Sequence, residues 1–204
     1  MKPSSDVAFS AAVKQVQAER GSRTAYARVE AGGGFRTAIT DELASFLAEI
    51  DTAYLATASA DGQPYVQHRG GPRGFLQVVD DHTLGFVDLA GNRQYISTGN
   101  LGENNRVCLF LMDYAHKRRV KVWGTAEIVS LTDPRTATLA LPAGRARAEQ
   151  VVLITVTAWD INCPQHIPQK LDAGEVATAI AALQARIAEL EAENRRLRAP
   201  AQAR

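Results

Sequence analysis

A chain of 204 residues, 46% hydrophobic and 22% charged, can bury a core of its own, and suits one domain with helical additions at its ends. A net charge of +1 excludes a global field that would draw it to nucleic acid or to a membrane surface. With no signal-like or membrane-length apolar run, and with Cys108 and Cys163 outside any disulfide-framework spacing, the expected setting is the reducing cytoplasm.

Residues 6–20 carry helical periodicity (Val7, Phe9, Val13, Val16), with Ser4, Ser5 and Asp6 as caps. Gly21 stops that helix and Gly32-Gly33-Gly34 reads as a flexible link, so residues 1–36 form an outer arm. A second helix opens at Thr40 and presents Leu43, Phe46, Leu47 and Ile50 on one face.

From Ala53 the period becomes strand-like. Residues 54–58 and 64–69 flank the turn 60–63, residues 75–79 and 83–89 flank the turn 80–82, and residues 106–113 and 119–129 make a third hairpin. A short helix is expected over 133–140 and a last strand over 151–159. Short strands with close turn punctuation predict a mainly β fold, an antiparallel barrel with flanking helices, over parallel βαβ units.

From Leu171 a heptad emerges: Ile180, Ile187 and Asn194 at a, with Val176, Leu183, Leu190 and Leu197 at d. In a parallel pair the g and e positions would match Arg186 with Glu191 and Glu193 with Arg198, both attractive. The stripe predicts a dimeric coiled coil, and it would equally serve a helix packed on its own barrel. The expected organisation is the arm (1–36), the barrel (37–168) and the zipper helix with its tail (169–204).

Several groups could carry chemistry. Alternation places Gln67 and Arg69 on one strand face and His68 on the other, and places Arg119, Lys121 and Trp123 opposite Val120 and Val122. A helix opening on Arg93-Gln94-Tyr95 would bring its free amides to Asn92 and the Arg93 guanidinium, a natural seat for a phosphate. The segment 159–168 gathers Trp159, Asn162, Cys163, Gln165 and His166 between two prolines. It reads as the wall of a substrate pocket, as a Cys-x-x-His nucleophile or half metal site, or as a rigid connector. The other histidines show no metal-site spacing, so no metal is expected.

Gln67–Arg69, the strand 84–88, the Asn92-Arg93-Gln94 turn, the Leu101…Asn104-Asn105 segment and Arg119-Val-Lys-Val-Trp-Gly124 resemble the FMN-binding split-barrel family of pyridoxamine 5′-phosphate oxidase, over about residues 40–168. The resemblance implies an antiparallel split barrel, a homodimer and FMN at the subunit interface. It implies that Arg69 and Arg93 hold the phosphate, that Asn92, Gln94 and Gln67 add contacts, and that Asp88 and Leu89 line the flavin through their backbone. Arg119 or Lys121 would face the pyrimidine end, where a cation stabilises the charge of reduced flavin.

Three departures stand out. The family's Ser-Arg-Lys phosphate turn is Asn92-Arg93-Gln94 here, Gly70-Gly-Pro-Arg-Gly74 replaces an apolar strand, and the C-terminal Arg-x-His that grips pyridoxal has no counterpart. The expectation is thus a flavin-dependent oxidoreductase other than that oxidase, working between NAD(P)H or a small organic donor and another acceptor. Gly32-Gly33-Gly34 lacks a strand–helix frame for a nicotinamide fingerprint. Alternatives within the same barrel are deazaflavin or haem (with His68, His116 or His166 as axial ligand), and a non-enzymatic dimeric flavin-binding or stress-response module.

Overall fold

The computed structural model describes residues 2–140, 147–162 and 164–198. Its N-terminal arm departs from the single helix expected over 6–20. A short 3-10 helix, Ser4–Val7, comes first, and α1 (Ala11–Glu19) starts only where the Ser10 hydroxyl accepts from the Val13 amide at 3.3 Å. Gly21, at φ 79°, turns the chain into α2 (Arg23–Ala31), a helix that the sequence pattern does not print because only Tyr26 and Val29 give it large apolar side chains. Polar ties and rings hold it instead. Glu30 pairs with Arg23 and, at 3.0 Å, with Lys14, while Phe9 packs edge-on against Tyr26 at 5.2 Å. The triglycine is a packed turn: the Gly33 carbonyl accepts from Ser4 N–H at 2.9 Å, and a side chain on Gly34 (φ 98°) would meet the Ser4 and Ser5 amides.

Thr40 caps α3 (Asp41–Glu49), accepting from the Leu43 amide at 3.4 Å, as its sequence foretells. The strands follow as β1 (Thr52–Ala58), β2 (Pro64–Gly70), β3 (Gln77–Asp80), β4 (Thr83–Leu89), β5 (Arg106–Asp113), β6 (Arg118–Val129) and β7 (Ala148–Asn162), with α4 (Ile96–Glu103) between β4 and β5. β3 starts later than expected because Phe75 closes a turn onto the Pro72 carbonyl at 2.9 Å. The helix expected over 133–140 shrinks, among the described residues, to a 3-10 turn, Pro134–Thr136. β7 runs past its expected bounds because the long β6 pairs along it from Val129↔Val151 to Arg119↔Asn162. Gly124 sits at the bulge in that ladder, where the Thr155 carbonyl leaves no room for a side chain.

The seven strands form one antiparallel sheet in the order β2-β1-β5-β6-β7-β4-β3. Five places separate β2 from β4 in that order, yet Arg69 of β2 bonds Asp88 of β4 at 2.5 Å. The sheet is therefore rolled until its two sides meet, and among the described residues no ladder joins β2 to β4, so the barrel is split at that seam. Inward residues of β1, β5, β6 and β7 (Leu55, Leu109, Leu111, Val120, Val122, Ile154) pack with Leu43, Phe46 and Leu47 of α3 and Leu101 of α4 in one buried cluster. α4 is tied across the seam by Ser97 donating to Gln67 at 2.7 Å and Asn100 donating to Thr57 at 3.0 Å.

The chain divides into two units, Met1–Asp113 with Arg118–Gln165, and Tyr114–Lys117 with His166–Arg204. The second contains α5 (Ala173–Arg198), none of whose residues is buried. Among the described residues no helix is long and apolar enough to cross a membrane.

Candidate functional site

The seam between β2 and β4 is where polar chemistry concentrates. β4 is buried and apolar almost throughout, so the Asp88 carboxylate, 11% exposed, needs a cation, and Arg69, 15% exposed, supplies it. The other Asp88 oxygen accepts from Gln150 Nε2 at 3.0 Å, and Gln150 also donates to Thr98 Oγ1 at 3.2 Å. The Arg69 guanidinium lies 5.7 Å above the Phe86 ring, and its Nε is buried with no partner. Arg69 is thus held at one end and carries an orphaned donor at the other.

The turn after β4 supplies a second cation. Asn92 accepts from the Gln94 amide at 3.2 Å, closing a local turn of its own instead of capping the helix. The expected helix start at Arg93 moves to Ile96, with Tyr95 as its N-cap at φ 53°. Arg93 itself stands at φ 61°, so two side-chain-bearing residues occupy the left-handed region within three positions. Strain of this kind clusters at ligand sites, where the backbone is held in place for a partner. Arg93 Nε donates to Tyr95 Oη at 3.3 Å, and the Tyr95 hydroxyl donates to Glu149 at 2.7 Å. The Tyr95 bond and then the Glu149 charge hold the Arg93 guanidinium even more firmly protonated than usual. The Tyr95 side chain makes no capping bond to the first turn of α4, whose amides carry the helix's positive end.

Gln67, Arg69, Asp88, Leu89, Asn92 and Arg93 all line one cavity of about 290 Å³, together with Tyr95, Ser97, Thr98 and Glu149. Leu89 also lines a second, apolar cavity of about 160 Å³ formed by the 70–75 loop and Val87. That loop is fixed by Gly71 and Gly74 amides donating to the Asp51 and Ile50 carbonyls at 3.0 and 2.9 Å. A polar basin that bears two guanidinium groups and the Asp88 and Glu149 carboxylates thus shares Leu89 with a mostly apolar slot. Such a pair can take a ligand with one polar end and one apolar part.

Other expected site residues lie elsewhere. Gln94 is exposed and does not line the basin. Arg119 and Lys121 stand on the outer face of β6, half-buried, with Arg119 Nε unpartnered. Trp159 is a correction: it is 0% exposed, donates from Nε1 to the Ala38 carbonyl at 2.7 Å, and carries Arg36 over its ring at 4.6 Å, so it is core and not a pocket wall. Gln165 and His166 are exposed, whereas Cys163 and the Asn162 side chain lie outside the described residues. Among the described residues no three His, Cys, Asp or Glu side chains are placed to hold a metal ion.

Tyr95, Ser97, Thr98, Glu149 and Gln150 are functional candidates that sequence reasoning misses. One signal was present: a lone carboxylate at Asp88 in an apolar strand demands a cationic partner.

The family described as pyridoxamine 5′-phosphate oxidase matches residues 39–163. Among solved structures, the chain is similar to HupZ of Group A Streptococcus, at 20% identity over 65% of this chain and 99% of that one, with a TM-score of 0.45. It is similar to the FAD binding protein of Mycobacterium smegmatis, at 18% identity over 62% of this chain and 96% of that one, with a TM-score of 0.43. An F420 reductase shares 23% identity over 57% of this chain and 94% of its own, with a TM-score of 0.40. No curated protein matches the chain.

Proposed function

The chain belongs to the pyridoxamine 5′-phosphate oxidase family, and from that premise we propose that it is an FMN-binding flavoprotein that moves a hydride or electrons between NAD(P)H or a small organic donor and an acceptor. The observation that carries this reading is the convergence of Arg69, Arg93 and the uncapped first turn of α4 on one basin.

The residues present fit the group. An orphaned, buried Arg69 Nε, the Arg93 guanidinium and the first-turn amides of α4 are donors suited to a phosphate ester, and charge-assisted bonds of this kind are the strong ones. Arg69 and Arg93 would hold the phosphate, with Asn92 and the α4 amides beside them. Leu89, Val87 and Phe75 would shield a flat ring from water in the adjoining slot. When bound, a flavin supplies reversible two-electron chemistry, and the protein's part is to position it and tune it. Asp88 and Gln150 keep Arg69 in one orientation before any ligand arrives. Without the pyridoxal-gripping Arg-x-His, vitamin B6 phosphate is not the substrate of this reading.

The reading includes a homodimer with the flavin at the subunit interface. Its support is the outer sheet face around Arg119 and Lys121, where Tyr54, Phe110 and Met112 stand half-buried and Val66 is 59% exposed. An apolar patch of that kind on a sheet face suits a second subunit.

The test is the identity of the bound group. The purified full chain, reconstituted with FMN, is expected to hold one FMN per chain, released on denaturation with the mass and absorbance of FMN, and to be reduced anaerobically by NAD(P)H or a small donor. A chain that takes up haem or a deazaflavin and ignores FMN contradicts the cofactor. Bound FMN that no donor reduces contradicts the enzyme and leaves a binding module.

A further inference from the structure

α5 presents an exposed heptad stripe. Its 26 residues lie beyond the family match, and its apolar positions Val176, Ile180, Leu183, Ile187, Leu190 and Leu197 are between 37% and 74% exposed. We propose that α5 pairs, parallel and in register, with α5 of a second copy of this chain in a two-stranded coiled coil.

The helix is continuous over all seven heptad positions, so the a and d residues form a single seam. Pairing with an identical helix would take the exposed a and d side chains of that seam out of water. The chemistry of the seam selects the occupant. Branched Ile180 and Ile187 at a, with Leu183 and Leu190 at d, favour two parallel strands. Asn194 at a meets its own copy in a parallel pair, where the two amides bond each other. In an antiparallel pair it would face an apolar d residue and leave its amide unsatisfied.

The flanking charges agree. Arg186 at g faces Glu191 at e of the partner, and Glu193 faces Arg198, so both interchain pairs attract. Within one chain Arg186 reaches Glu189 at 2.9 Å and Arg195 approaches Glu191 at 3.9 Å, exposed contacts of small worth that an interchain pair can share or replace. This pairing is independent of what the barrel binds.

Cross-linking of the full chain tests it, with Cys108 and Cys163 first replaced by alanine. Single cysteines are placed at the two ends of the seam, Val176→Cys and Leu197→Cys, and on the opposite helix face, Ala185→Cys. A disulfide forms only where two Cα atoms come within about 7 Å. Val176→Cys and Leu197→Cys are each expected to cross-link to themselves at least about tenfold faster than Ala185→Cys. Cross-linking only in a mixture of the two end variants would show an antiparallel pair, and equal rates at all three positions would show no pairing; either overturns the proposal. As a second readout, Arg186→Glu is expected to slow the Leu197→Cys cross-link about fivefold, and Arg186→Glu with Glu191→Arg to restore it. A rate indifferent to both changes also overturns it.

Discussion

Replacing Arg69 with alanine is expected to weaken FMN binding by about a hundredfold and to lower stability by about 1–3 kcal/mol. The two effects have separate causes. Stability falls because Asp88 stays largely buried in an apolar strand with only Gln150 left to satisfy it. Binding falls because the basin loses the donor whose Nε is otherwise unpaired. The double variant Arg69→Ala with Asp88→Asn separates them: removing the stranded carboxylate is expected to recover most of the stability and none of the affinity. Urea denaturation at fixed chain concentration and fluorescence titration of FMN read the two quantities. An Arg69→Ala chain that binds FMN like its parent would remove Arg69 from the phosphate cradle.

The largest loss of stability is expected at Trp159. Trp159→Ala should cost about 3–5 kcal/mol, because it opens a cavity in the middle of the main buried cluster and removes the bond to Ala38. Trp159→Phe keeps most of the volume and loses the indole N–H, so about 1–2 kcal/mol is expected. In neither variant should the affinity of the folded protein for FMN change by more than about twofold, since the side chain is fully enclosed. A Trp159→Phe protein as stable as the parent but weakened in FMN binding would return this residue to the pocket wall.

The strands were legible because burial alternates along β1, β2 and β5 and runs unbroken between turn residues in β4. β4 and β5 run between the residues that pattern and turn chemistry mark, and the face assignments of Gln67, Arg69, Lys121 and Trp123 follow from alternation alone. The arm was less legible. α2 is stabilised by an internal Arg23–Glu30 pair and by Lys14 and Phe9 from outside the helix, polar and ring ties that leave no apolar period in the sequence. The end of β7 was obscured because Asp160, Asn162 and the nearby prolines look like a loop, and the ladder with β6 overrides that local preference.

At the site, chain order brought Asn92 and Arg93 together and the family resemblance added Arg69, and all three line one basin. The helix start was misplaced because Asn92 satisfies its own turn, which pushes the first helical residue to Ile96 behind two left-handed residues. Asp88 was read as a backbone contact, whereas its carboxylate is the anchor of Arg69. That pairing joins strands five places apart in the sheet, and no local pattern encodes it. The outward placement of Arg119 and Lys121 follows from alternation, and their separation from the basin follows from how the sheet rolls.

The central claim is that the basin grips a phosphate ester, and comparing FMN with riboflavin tests it most directly, because the two differ only in that group. Parallel titrations of the same ligand-free chain at low ionic strength are expected to give an FMN affinity at least about a hundredfold above that for riboflavin, the worth of two charge-assisted contacts in a partly desolvated site. Raising the salt concentration should narrow the gap. Equal affinities for the two would contradict the account.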